Sequence, residues 1–289
     1  MIIVKVQGGL GNQLLQYSFG RLLTLVYKKE VAYDVSFFEN ETKYTKRPYL
    51  LDKFNTVVRI ATNEEIQKTR YPYRIVSKFL ELIWRAVNKF FIKKYYVGYT
   101  KSLLSSLEKK ENYYIEGFWQ SYKYYEKILE VLSKEVSLKD GENIKSLEER
   151  ISGELFSVAV HIRRGDYLNL GAGAKVLGVD YYKDAVSCIK SNIQTPKYYI
   201  FSDDIEWVKK EMGDLFTDVY YVSSEGFSEC EEFVLMKACT HAITANSTFS
   251  WFSVLLTNKD TKIVIYPKDW KNPYLQGDTN ICPPNWLSV

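Results

Sequence analysis

Ile2–Val6 is an apolar run broken only by Lys5, and it predicts a buried strand. Gln7-Gly8-Gly9-Leu10-Gly11-Asn12-Gln13 follows as a glycine-rich turn. Over Leu14–Tyr27 the period changes: Leu15, Phe19, Leu22, Leu23 and Val26 fall on one side of a helix. Val31–Tyr33 reads as a second strand, which completes a strand–loop–helix–strand unit of α/β type. Residues 75–92 carry apolar side chains at i, i+3, i+4 spacing and predict an amphipathic helix. Tyr113–Ile115 predicts a further strand, leading into Gly117-Phe118-Trp119-Gln120.

The segment from Lys134 to Arg150 is charged and interrupted by Asp140-Gly141, so the domain boundary is placed there. The α/β pattern then restarts. Strands are expected at Phe156–Ile162, Tyr198–Phe201, Val219–Val222, His241–Thr244 and, last, Ile263–Tyr266. Helices are expected at Tyr181–Asn192, after Ser202-Asp203-Asp204, at Glu229–Cys239 and at Phe249–Leu256. The expected architecture is two α/β domains, 1–150 and 151–289, facing one another across a cleft.

Composition sharpens this picture only in places. The 289 residues are 46% hydrophobic, enough for a proper core. A net charge of +4 is too small to imply nucleic-acid binding. The charge is unevenly spread, however. Residues 70–94 hold seven basic side chains against the single acid Glu81, and they include the amphipathic stretch, a pattern suited to an anionic membrane surface. The bland alternative is a core stripe with a solvated basic face. Four scattered cysteines without a Cys-x-x-Cys pair read as reduced thiols of a cytoplasmic protein. Two histidines and no Asp-x-Asp give no metal signature. The amino terminus is too short an apolar run for a signal peptide, and no run approaches a membrane span.

The candidate chemistry sits where strands end. His161-Ile162-Arg163-Arg164-Gly165-Asp166 places two guanidinium forks at a strand terminus, where open α/β sheets hold ligands. Such forks suit a phosphate or diphosphate. Asn246-Ser247-Thr248 precedes a helix and offers free N–H groups and hydroxyls to an anion; capping by Ser247 or Thr248 is the simpler reading. Of Asp203 and Asp204, one acid would cap the next helix and the other would face a base or ribose. In the first glycine loop the third glycine of a dinucleotide fingerprint is replaced by Leu14, and no Walker sequence follows. What remains is a turn whose backbone at Gly9 can approach a ligand, with Asn12 and Gln13 placed to bond a sugar or phosphate oxygen, or with Asn12 as a plain cap.

Gly8-Gly9-Leu10-Gly11-Asn12-Gln13, His161-Ile162-Arg163-Arg164-Gly165-Asp166-Tyr167, Phe201-Ser202-Asp203-Asp204 and Ala245-Asn246-Ser247-Thr248-Phe249-Ser250-Trp251 occur in that order. Together they resemble glycosyltransferase family 11, the α-1,2-fucosyltransferases. Tyr49-Leu50-Leu51-Asp52-Lys53-Phe54 and Gly117-Phe118-Trp119-Gln120-Ser121 are similar to bacterial members, and the resemblance runs from about residue 3 to about 256. It implies a GT-B fold of two Rossmann-like domains, GDP-fucose as donor, inversion at the anomeric carbon, and a terminal β-galactoside fucosylated on its 2-hydroxyl. It places GDP-fucose on the carboxyl-terminal half, with Arg163, Arg164, Asp203, Asp204, Asn246, Ser247 and Thr248, and most of the acceptor on the amino-terminal half. Gly9, Asn12 and Gln13 would reach the donor from that half. No cofactor and no metal is expected: Arg163, Arg164 and the helix at Ser247-Thr248 would neutralise the departing diphosphate. Catalytic roles fall to Arg163, His161, Asn12 and Asp166. Asp166 is the nearest candidate base, since 167–179 contains no acid. The acceptor is expected to be lipid-linked in bacteria, and the enzyme to lie in the cytoplasm, at the inner face of the membrane. Protein O-fucosyltransferases share a similar glycine loop and a His-x-Arg element, but the paired arginines followed by Gly-Asp-Tyr favour the first reading. A non-catalytic basic membrane module is the third.

Overall fold

The computed structural model describes residues 1–39, 47–70, 91–97, 104–105, 113–169, 176–259, 261–268, 270, 275–276 and 281–289. The chain forms two units. The first comprises Met1–Asp52, Thr56–Leu129 and Asn272–Cys282; the second comprises Lys53–Asn55, Glu130–Lys271 and Pro283–Val289.

The first unit is built on β1 (Ile2–Lys5), β2 (Val31–Asp34), β3 (Phe91–Val97), β4 (Tyr113–Phe118) and β10 (Leu275–Gln276). All pair in parallel, in the order β10-β3-β4-β1-β2. Helix α1 (Leu10–Leu25) links β1 to β2. It begins four residues earlier than its apolar spacing predicts, so Asn12 and Gln13 belong to its first turn, behind Gly9 as N-cap. Its buried face carries Leu14, Leu15, Phe19, Leu22 and Leu23. Gly8, at φ +85°, makes the turn out of β1, a left-handed conformation that favours glycine. Helix α2 (Asn63–Arg70) follows. Most of the amphipathic helix expected at 75–92 lies outside the described residues; its last two positions, Phe91 and Ile92, open β3 instead.

The second unit starts with α3 (Leu129–Glu135) and α4 (Glu142–Gly153). The charged stretch in which the domain boundary is expected therefore contains a helix. Ile144 and Ile151 bury one side of it, and Asn143 donates to the Glu231 carboxylate. The strands are β5 (Ser157–Ile162), β6 (Lys197–Ser202), β7 (Asp218–Tyr221), β8 (His241–Ile243), β9 (Val264–Tyr266) and β11 (Leu287–Ser288). The helices are α5 (Val179–Asn192), α6 (Ile205–Met212), α7 (Glu229–Ala238) and α8 (Thr248–Leu255). The sheet is wholly parallel and ordered β11-β9-β8-β5-β6-β7. Read from β7, that order is 3-2-1-4-5-6, the doubly wound Rossmann arrangement. Every residue of β5 is buried, as expected of a strand covered on both faces. Its Val158, Val160 and Ile162 pack with Ala185, Val186 and Ile189 of α5.

Candidate functional site

In a doubly wound sheet, ligands sit outside the carboxyl ends of the strands where the winding reverses. In the second unit that switch lies between β5 and β8. The sequence puts Arg163-Arg164 directly after β5, and Asn246-Ser247-Thr248 three residues after β8. The two loops are joined: the Tyr167 hydroxyl donates to the Asn246 carbonyl at 3.2 Å. The predicted paired arginines and the predicted helix N-terminus are thus neighbours across the switch.

The arginines are held from β6. Asp203 accepts from the Arg164 backbone N–H at 2.8 Å through Oδ1, and its Oδ2 lies 3.0 Å from Nη1 of Arg163. Asp204 Oδ2 accepts from Arg164 Nε at 3.1 Å, while the Trp207 ring lies against the same guanidinium, 3.5 Å from Cζ to centroid. Gly165 permits this closeness, since a Cβ there would stand 2.6 Å from Asp203 Oδ2. Asp204 is the N-cap residue of α6, yet neither acid caps it: the Asp204 side chain makes no cap bond, and Asp204 N–H instead donates to Ser202 Oγ at 3.0 Å. The capping half of the division of labour expected of this pair is therefore not found. Both carboxylates orient arginines. A bound arginine fork is preorganised for an anion because its rotamer is already fixed.

Ser247 is the N-cap of α8, and its Oγ accepts from Phe249 N–H at 3.4 Å, so the capping role holds for that residue. His161 is buried, with its ring 5.4 Å from that of Phe249. Burial, reinforced by the Arg163 charge, pulls its pKa down to about 3. It is a neutral imidazole at physiological pH, so any part it plays beside the arginines is played uncharged. Its Nδ1 has no hydrogen-bond partner among the described residues. Asp166 opens a short 3-10 turn, Asp166–Asn169.

The glycine loop removes one alternative of the sequence reading and departs from it at one residue. Asn12 is not the cap of α1; Gly9 is. Gln13 is fully buried, and its amide is committed to backbone: Nε2 donates to the carbonyls of Gly8 and Pro48, both at 2.9 Å, and Oε1 accepts from Leu50 N–H at 2.9 Å. It fastens the loop at 48–50 to the glycine turn and has no free surface for a donor. Gly9 remains open, with nothing within 4 Å of a Cβ placed there. Sequence reasoning also missed Gln16, which is buried and bridges Gln7 N–H (2.8 Å) to the Gly117 carbonyl (3.2 Å). Helical spacing places Gln16 beside Gln13, but nothing in the sequence marks its partners. Among the described residues, no three His, Cys, Asp or Glu side chains cluster as a metal site would need, and no helix is long and apolar enough to cross a membrane.

This chain belongs to glycosyl transferase family 11, whose family model matches residues 1–289. It is 28% identical over its full length, and over 99% of the relative, to an Escherichia coli protein named α-1,2-colitosyltransferase. It is 29% identical to the E. coli O-antigen biosynthesis glycosyltransferase WbnK, covering 92% of this chain and 93% of that one. Its fold matches NodZ α-1,6-fucosyltransferase of Bradyrhizobium, crystallised with GDP, at TM-score 0.51 and 14% identity, over 88% of this chain and 91% of NodZ. The fold class is therefore the α/β, GT-B-type architecture.

Proposed function

We propose that this protein is an inverting transferase that moves L-fucose from GDP-fucose to the 2-hydroxyl of a terminal β-galactoside. The observation that carries the reading is the arginine pair at the β5–β8 switch, held in place by Asp203 and Asp204. Cleaving the bond between the sugar and GDP builds negative charge on the diphosphate. Arg163, in contact with Asp203 but one-quarter exposed, is the group to meet that charge. Arg164, stacked on Trp207 and bonded to Asp204, shapes the turn and adds positive potential. Asn246, Ser247 and Thr248 supply the helix terminus beside it. With these positive groups in place no divalent metal is needed, and exhaustive chelation should leave activity intact; loss of activity restored by Mg²⁺ or Mn²⁺ refutes this part.

Family membership and the α-1,2 linkage in the name of the E. coli relative support the linkage. That same name favours a second donor, GDP-colitose, and the WbnK name supports a role in bacterial O-antigen assembly. Incubation with each GDP-sugar and a panel of β-galactosides, followed by NMR assignment of the new linkage, decides among them. A product linked anywhere but the galactose 2-hydroxyl sinks the reading. Asp166 is proposed as the base that receives the hydroxyl proton, and Gly9 and Asn12 as groups of the first unit near the transferring sugar.

A lipid-carried acceptor would suit a peripheral position at the inner face of the cytoplasmic membrane. The basic, apolar-striped stretch at 75–92 is the proposed contact. Flotation with anionic liposomes at low and high salt tests it; no binding at low salt removes the membrane from the account.

A further inference from the structure

The first unit has a reversal of its own. The chain leaves β1 for β2 on one side through α1, while β4 flanks β1 on the other, so no crossover joins β1 to β4. The loops that follow these two strands are the glycine turn and Trp119-Gln120-Ser121. Gln16 ties them together through Gln7 N–H and the Gly117 carbonyl. The Tyr125 hydroxyl fixes the second loop by donating to the Trp119 carbonyl at 2.7 Å, and the Trp119 ring stacks on Phe19 with centroids 4.0 Å apart. Both contacts anchor Trp119 within the loop.

Within it Gln120 is only 5% exposed, yet its Oε1 has no hydrogen-bond partner among the described residues. The indole N–H of the preceding Trp119, 1% exposed, is also without one. Leaving a buried amide oxygen unsatisfied is costly, so such an atom calls for a partner. An orphaned acceptor oxygen takes a hydroxyl donor, and a pyranose offers several. Gln13, three residues before Gln16, shows the contrast: its amide is saturated by backbone and is plain structure.

We infer that Gln120, at the β1–β4 switch of the first unit, binds the acceptor sugar by accepting a hydrogen bond from one of its ring hydroxyls. This rests on the galactoside-transferase reading above and adds to it the residue that reads the acceptor. Gln120 is a binding residue, and the proton-transfer step does not pass through it.

The test uses the full-length protein at saturating GDP-fucose, with methyl β-D-galactopyranoside and its 3-, 4- and 6-deoxy analogues as acceptors. Gln120→Met keeps the volume and removes the oxygen; Gln120→Glu keeps the oxygen and guards against a variant that fails to fold. In Gln120→Met the acceptor KM should rise about 3- to 10-fold, as loss of one neutral hydrogen bond does, with the donor KM unchanged. One deoxy analogue should be penalised in the wild type and carry no extra penalty in Gln120→Met, a coupling that a structural role does not produce. If every analogue is penalised equally in both enzymes and the acceptor KM stays put, an internal water serves the orphan oxygen and the inference falls, leaving the functional reading intact. If the wild type modifies no β-galactoside, both fall together.

Discussion

A single carboxylate governs the arginine turn: Asp203 reaches the guanidinium of Arg163 with one oxygen and the backbone N–H of Arg164 with the other, at 3.0 and 2.8 Å. Arg163→Lys preserves charge but loses the fork that Asp203 aligns. Turnover with GDP-fucose should drop by about 10²–10³. Asp203→Asn should lower kcat/KM by roughly tenfold or more through misplacement of the same fork. Because the two act on one contact, the double variant should be little worse than Arg163→Lys alone. Additive losses in steady-state kinetics disprove the coupling.

Two glycines make opposite predictions. Gly165→Ala drives a methyl to 2.6 Å from Asp203 Oδ2, so it should disable the clamp much as Asp203→Asn does. Gly9→Ala meets nothing within 4 Å. It should fold with unchanged Tm, and its activity should fall only because a ligand approaches Gly9. Full activity in Gly9→Ala removes that residue from the site.

Gln13→Leu strands two carbonyls and one amide that Gln13 now satisfies. The cost should be about 2 kcal/mol or more in a denaturant titration. GDP affinity, which we place on the second unit, should not change. Weakened GDP binding without lost stability returns Gln13 to the donor site.

Burial pushes the Glu232 carboxyl up to about 7, and the charges of Glu229 and Asp203 add to it against a bond from Ser223. A raised carboxyl pKa means the folded protein holds a proton that the unfolded chain releases near 4.5. Stability is therefore lost as pH rises from about 4.5 to 7, by at most about 3 kcal/mol. Glu232→Gln should match the wild type in Tm near pH 5 and exceed it at pH 8. Parallel Tm profiles contradict the assignment.

The parallel strands were legible because β1 and β5 are buried on both faces and read as near-continuous apolar runs. The switch-point loops followed from them, and with them the arginines and Ser247. β3 was not legible, because Phe91 and Ile92 extend the helical spacing that precedes them and Lys93-Lys94 break a strand pattern. β10 and β11 are two-residue strands fixed by their neighbours rather than by any local signal. The acids at 203 and 204 look alike as caps or as arginine partners until β5 and β6 are set side by side in register, His161 opposite Phe201 and Ile162 opposite Ser202. Gln13 and Gln120 are equally alike on paper. One is saturated and one is not, and only tertiary contacts separate them.

At the edge of the first sheet β10 covers the carboxyl end of β3, where Leu275 and Gln276 pair with Tyr96 and Val97. On the ribosome, β3 is made some 180 residues before its partner, so the backbone groups at Tyr96 and Val97 on its outer edge must wait through the synthesis of nearly the whole second unit. A nascent chain stopped at residue 271 would keep that edge open to another copy, so premature termination here favours aggregation over a merely shortened enzyme.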